Sequence, residues 1–190
     1  MVKRKRVLVA CEYSGRVRDA FRRHGWDAWS CDFEETEIPG QHVRGDVRRF
    51  LDKNWDLLIA HPPCTRLCNS GVRWLEERNL WNDMEEAALF FKLLLDAPVK
   101  RIAVENPIMH KYAVKIVGRK ADQIIQPWMF GHGETKATCL WLKNLSLLQP
   151  TEIVDGREQR VHKMSPGPDR WKERSRTFQG IADAMAEQWG

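Results

Sequence analysis

The stretch Asp56-Leu-Leu-Ile-Ala-His-Pro-Pro-Cys64 joins an apolar run to a stiff loop that ends in a thiol. Leu57 to Ala60 reads as a buried strand. Pro62 and Pro63 stop it, because each lacks an N–H and fixes φ. Cys64 is thereby presented at the carboxyl end of a strand, the edge of an open α/β sheet where ligands bind. A thiol held there is a candidate nucleophile, a role that requires the thiolate. Arg66, or the turn beginning at Asn69-Ser-Gly71, would favour that charge. Cys68 is the rival sulfur. The alternatives are an inert loop thiol, or a zinc ligand together with His61 and Cys68. A structural zinc site normally takes four ligands, and the sequence offers no second pair, so no metal is expected.

Glu105, in Val104-Glu105-Asn106-Pro107, closes a second apolar run. A carboxyl so placed is expected to have a raised pKa and to carry a proton for acid catalysis; the alternative is a plain surface carboxylate. A thiolate and an acid facing one planar ring can add across a ring double bond. Upstream, Cys11-Glu12-Tyr13-Ser14-Gly15 leads from a first strand into a helix, and glycine in such a turn lets a ligand approach the backbone. Asp32, followed by Phe33, is placed to hold ribose hydroxyls, and Asp46, followed by Val47, to accept a hydrogen bond from an adenine amino group. Each aspartate is equally suited to a turn or a helix cap. Together they point to an adenosyl ligand, since the glycines that cradle a dinucleotide's phosphates are missing.

These residues need a scaffold that brings strand ends together. Strands are expected at Val7–Ala10, Ala28–Cys31, Gln41–Arg44, Asp56–Ala60, Arg101–Val104, Gln123–Gln126 and Thr138–Leu142. Helices are expected at Arg16–His24, Asp83–Asp96 and Ser175–Trp189, with Gly25 and Pro98 as stop signals. The alternation predicts an α/β fold, a mostly parallel sheet with helices on both faces. Gly15, Asp32, Asp46, Cys64 and Glu105 each follow a predicted strand, so a parallel sheet would line them along one rim.

The chain has 190 residues, and one domain over 1–190 is expected. Hydrophobic residues make up 43% and charged residues 30%, a globular balance. No apolar run approaches the roughly 20 residues of a membrane helix, so no membrane association is expected. The basic start, Met1 to Arg6, leads straight into a strand without the apolar region of a secretory signal. Five cysteines, an odd number without regular spacing, suit a reducing cytoplasm better than a disulfide framework. The net charge of +5 favours a polyanionic partner. Arginines and lysines crowd Arg157–Arg176, either as a phosphate-facing surface or as a solvated loop, and Trp171 among them either stacks on a base or packs.

The order glycine turn, acidic strand end, Gly45-Asp46, Pro62-Pro63-Cys64 and Glu105-Asn106 resembles the DNA cytosine-5 methyltransferases, over nearly the whole chain. Phe130-Gly131 to Thr138 is similar to that family's Gln-x-Arg-x-Arg segment, and Gln179-Gly180-Ile-Ala-Asp-Ala to its closing motif. The resemblance implies a Rossmann-like, class I methyltransferase fold and S-adenosylmethionine as cofactor. The cofactor would lie against Glu12, Tyr13, Ser14, Gly15, Asp32, Phe33, Asp46, Val47 and Pro62. It also implies that Cys64 attacks carbon 6 of cytosine while Glu105 contacts ring nitrogen 3. Pro63, Asn106, Lys136, Thr138, Arg174 and Arg176 would adjoin the substrate. Asn69, Ser70 and Glu134 are candidates to hold the water that removes the carbon 5 proton.

The departures from the family are equally concrete. Glu12 and Tyr13 replace a small residue and a glycine, and Lys136 and Thr138 stand where arginines are usual. Residues 143–174, a short basic segment, replace a target-recognition domain. The expected partner is DNA, read with low sequence specificity by a monomer in a bacterial or phage-infected cell. The alternatives are a free cytidine nucleotide as acceptor, or a nucleic-acid-binding module without turnover.

Overall fold

Short runs of Val, Leu, Ile and Ala with polar ends give seven strands in a single sheet. A computed structural model describes residues 4–190, so the first three residues of the basic start lie outside the described residues. The strands are β1 Arg6–Ala10, β2 Asp27–Asp32, β3 His42–Arg44, β4 Leu57–Ala60, β5 Arg101–Asn106, β6 Gln123–Ile125 and β7 Thr138–Lys143. Their order across the sheet is β3-β2-β1-β4-β5-β7-β6. The first five are parallel, with Val7 opposite Leu57 and Leu57 opposite Arg101, whereas β7 runs antiparallel to both β5 and β6.

The helices are α1 Arg16–Arg23, α2 Arg73–Glu77, α3 Trp81–Leu95, α4 Lys111–Val117, α5 Arg160–Lys163, α6 Arg170–Ser175 and α7 Gln179–Trp189. They cover both sheet faces, which is why β1 and β4 are apolar at nearly every position. On one face Val7, Val9, Ile59 and Ala103 pack under α1 and α7, against Phe21, Ile181 and Trp189. On the other, Leu8, Leu58, Ile102 and Val104 pack under α3 and α4, against Phe91, Leu94 and Ala113. The chain crosses from one side of β1 to the other between β3 and β4. The carboxyl ends of β1 and β4 therefore flank a switch point, the natural crevice of such a sheet.

Four sequence expectations are corrected. β5 continues to Asn106, so Glu105 and Asn106 lie inside the strand, paired opposite Leu140 and Cys139. The closing helix starts at Gln179, because Arg170–Ser175 forms its own short helix and extended backbone at Arg176 separates the two. The helix α4 was not anticipated. Its run of Val and Ile favours a strand, but His110 caps it, the Nδ1 accepting the Ala113 N–H at 3.1 Å, and Gly118 ends it at φ 83°. The fourth strand begins at Leu57, which pairs with Val7 of β1 and Arg101 of β5.

Candidate active site

After β4 the His61 N–H donates to Ala10 O at 2.9 Å, which ties the Pro-Pro-Cys loop to the end of β1. The N–H groups of Leu67 and Cys68 both donate to Cys64 O, at 2.9 and 3.0 Å, so residues 64–68 make one helical turn. That turn brings Cys64 and Cys68 to one side, where their thiols hydrogen-bond. Cys64 is half-buried and Cys68 buried. Ser70 Oγ lies 3.1 Å from the Cys68 sulfur. The hydrogen bond from Cys64 lowers the Cys68 pKa, with Ser70 and backbone N–H groups adding to it against burial. The same bond, then burial and the Glu105 charge, hold the proton on Cys64. The pair thus loses its first proton from Cys68. Arg66, expected to assist Cys64, points instead at Asp83, 3.3 Å away; Lys136 is the cation that favours the Cys64 thiolate.

Strand alternation places Glu105 on the α7 face with Ala103. Glu105 Oε2 is 3.4 Å from His61 Nδ1. Burial pushes the Glu105 carboxyl up, but the His61 hydrogen bond and the Lys136 charge outweigh it, and the net direction is downward. The expected proton-carrying acid is therefore held below its ordinary pKa, because the His61 ring and the Lys136 ammonium converge on it. Glu105, His61, Lys136 and Thr138 form the polar wall of a narrow hollow. Phe178, Ile181 and Met185, from the start of α7, form its apolar wall. Cys64 lies beside this hollow rather than among its walls, within reach of the Glu105 and Lys136 charges. Lys136 Nζ donates to Arg174 O at 2.7 Å, and buried Thr138 donates to Lys136 O. Asn106 points to the opposite face, fully buried, with Nδ2 on Pro107 O.

The expected cofactor residues divide into two groups. Asp32 ends β2, its Oδ1 accepting the Glu34 N–H at 3.0 Å, and burial pushes its carboxyl up. Phe33 beside it is 68% exposed. Cys11 turns left-handed at φ 56° at the end of β1, and its thiol is pushed up by burial and by the charges of Asp32 and Asp46. These groups share one stretch of the rim. Pro62 is buried behind them and Pro63 is exposed.

The second group serves the fold. Glu12 is buried, and its carboxylate accepts the Val17 N–H at 2.7 Å, the Arg18 N–H at 3.2 Å and the Ser14 hydroxyl. It caps α1, whose N-cap residue, Gly15, offers no side chain. Gly15 is needed at φ 74°, and a Cβ there would lie 2.7 Å from the Arg18 guanidinium. The close approach expected of a ligand is made by Arg18. Tyr13 is buried, its hydroxyl donating to Lys172 O. Asp46 is engaged by Arg48, which lowers its pKa, and Val47 is in the core.

Two arginines of the basic segment are held by carboxylates. Arg176 is bonded to Glu37 and Glu173, so it is no free phosphate ligand in this conformation. Arg160 pairs with Glu134, and Arg157 stacks on Trp128 at 4.0 Å. Arg174 is half-buried, with its carbonyl turned to Lys136. Trp171 is 49% exposed and tilts against Tyr13 at 5.8 Å. Ser70 is committed to Cys68, whereas Glu134 Oε2 is buried with no partner among the described residues. Among the described residues, no group of three or more His, Cys, Asp or Glu side chains converges to hold a metal ion, and no helix is long and apolar enough to cross a membrane. Sequence reasoning weighed His61 only as a zinc ligand and missed the α7 wall; the position of His61 directly after β4, one pleat from Ile59, was the available signal.

No protein-family model and no curated protein matches this chain by sequence. Solved structures do match by shape. One is a protein assigned as a DNA modification methyltransferase, encoded within a prophage of E. coli, with a TM-score of 0.52 and 16% identity over 79% of this chain and 52% of that one. Another is the Entamoeba histolytica methyltransferase EhMeth, with a TM-score of 0.51 and 14% identity over 87% of this chain and 61% of that one. The chain thus spans about half to three fifths of the length of these structures. With the sheet order and the covered faces described above, this likeness establishes the Rossmann-like fold of the class I S-adenosylmethionine-dependent methyltransferases.

Proposed function

We propose that this chain transfers a methyl group to carbon 5 of cytosine in DNA through a transient bond between Cys64 and carbon 6. The observation that carries this reading is the meeting of a thiol, a half-buried carboxylate and an ammonium at the rim of the sheet: Glu105 and Lys136 both act on Cys64 and both wall the adjoining hollow. The likeness in shape to a protein assigned as a DNA modification methyltransferase, and to the methyltransferase EhMeth, supports it.

S-adenosylmethionine is consistent with the rim beside Cys11. Asp32 keeps one carboxylate oxygen free of the Glu34 N–H, for ribose hydroxyls, and exposed Phe33 offers a ring face for adenine. When bound, the cofactor supplies the electrophilic methyl group. The chain's own residues do the rest. The Cys64 sulfur adds to carbon 6, after its proton passes to the Cys68 thiolate. Glu105 stabilises the protonated ring nitrogen 3, and Lys136 offsets the charge that gathers between sulfur and ring. A water held by Glu134, whose Oε2 has no partner among the described residues, takes the carbon 5 proton, the electron pair of that C–H bond restores the 5,6 double bond, and Cys64 leaves as thiolate.

In duplex DNA the cytosine must leave the stack to reach this site. Residues 143–174 hold only two short helices and act in place of a target-recognition domain, within a single methyltransferase domain. Low sequence specificity follows. Transfer of labelled methyl from S-adenosylmethionine to duplex DNA, with 5-methylcytosine as product, is the expected result. Transfer only to a free cytidine nucleotide would replace the acceptor, and binding of DNA without transfer to either would refute catalysis.

A further inference from the structure

We propose that His61 is a positioning residue that stores the proton Glu105 hands to ring nitrogen 3, so that the two side chains work as one acid. This rests on the cytosine-5 reading above. The evidence is geometric. The His61 backbone is pinned to β1 through Ala10 O, and its side chain is only 8% exposed. Nδ1 faces Glu105 Oε2 at 3.4 Å, a length at the outer edge of a hydrogen bond, as is common before substrate arrives. Nε2 is buried with no hydrogen-bond partner among the described residues, and His61 walls the hollow.

A buried imidazole with a bare nitrogen costs stability unless something compensates. Here two carboxyl groups flank it: Glu105 from β5, and Glu12 from the turn after β1. Lys136, before β7, acts on Glu105 from the other side, and Cys64 follows three residues on in the same loop. Glu105 in this setting is a carboxylate and has no proton of its own to give. His61 supplies one.

The balance is as follows. As the Cys64 thiolate bonds to carbon 6, the 5,6 π pair moves to the bond between carbons 5 and 4. The pair between carbon 4 and nitrogen 3 moves onto nitrogen 3. The proton on His61 Nδ1 passes to the Glu105 carboxylate, and Glu105 hands it to nitrogen 3. The proton delivered to nitrogen 3 offsets the negative charge that the thiolate brings to the ring. When Cys64 leaves, the proton returns by the same two atoms.

His61→Asn tests this. Its amide still donates to Glu105 from about the place of Nδ1 but holds no titratable proton. The expected kcat for methyl transfer falls about 10- to 100-fold, with cofactor binding and KM for DNA within about threefold. The wild-type kcat also falls as pH rises and the pair loses its stored proton, and His61→Asn and His61→Gln lack that limb. An unchanged limb in either folded variant, or an undiminished kcat, overturns the proposal. Should both variants fail to fold in thermal melts, the wild-type profile decides, because absence of the limb there is equally fatal. A wild type that methylates no cytosine would instead refute the cytosine-5 reading, and this proposal with it.

Discussion

Gly180 is the tightest point between the closing helix and the rest of the protein. A methyl group added there would overlap the Phe130 carbonyl oxygen, and would lie 3.0 Å from its carbon and 3.2 Å from the Phe130 Cβ. The obstacle is main chain, and it is fixed: the Phe130 N–H donates to Pro127 O, and Phe130 bridges to Glu152. Gly180→Ala must therefore push α7 away. Overpacking of this kind costs about 3 kcal/mol at the upper end of its usual range. The gain in helix propensity returns about 1 kcal/mol. A net loss of about 2 kcal/mol lowers the melting temperature of a chain this long by roughly 4–8 °C. Gly167, where an added Cβ would meet nothing within 4 Å among the described residues beyond its chain neighbours, is the control, and Gly167→Ala should change stability by less than about 0.5 kcal/mol. Differential scanning calorimetry of both variants decides the matter. An unchanged or raised melting temperature for Gly180→Ala would mean that α7 does not sit against Phe130 as described. The wall of the hollow built from Phe178, Ile181 and Met185 would then be wrong as well.

Two further outcomes depend on buried ionisable groups. Cys68→Ala removes the acceptor of the Cys64 proton and leaves burial and Glu105 to hold that proton in place, so methyl transfer should require higher pH, with activity at neutral pH reduced and partly recovered in alkali; a pH–rate profile that coincides with the wild type would exclude a role for Cys68. Glu12→Gln bears on stability. Burial raises the Glu12 pKa, so the folded state binds more protons than the unfolded state above the ordinary glutamate pKa, and wild-type stability contributed by this group is lost as pH rises through that window. The variant should therefore gain on the wild type between acidic and neutral pH in urea melts, and a difference that is flat with pH would show that Glu12 is not protonated on folding.

Much of the scaffold was legible because it is written in short-range chemistry. Val7–Ala10 and Leu57–Ala60 are too apolar for anything but buried strands, and Pro62-Pro63 stops β4 where it ends. The rim logic placed Asp32 and Cys64 at strand ends. What escaped was set by tertiary partners. Glu105 continues β5 because β7 folds back antiparallel and pairs with it, a pairing that no local pattern of Arg101–Asn106 reveals. The glycine turn reads as a ligand loop, yet Arg18 from the first turn of α1 and the carboxyl group of Glu12 from the turn after β1 pack into it. Arg176 reads as a phosphate ligand until Glu37, 139 residues away, is brought against it. The raised pKa expected of Glu105 failed for the same reason, since His61 and Lys136 come from other elements.

Trapping the covalent intermediate is the most direct test. The protein is incubated with S-adenosylmethionine and duplex DNA carrying 5-fluorocytosine, which prevents loss of the substituent at carbon 5, and the adduct is digested with trypsin. Cleavage after Arg66 separates Cys64 from Cys68. The expected adduct is on the peptide that ends Pro-Pro-Cys64-Thr-Arg66, and Cys64→Ser abolishes it. An adduct on the Cys68 peptide, or methylated DNA with no sulfur-linked species at all, would contradict the assignment.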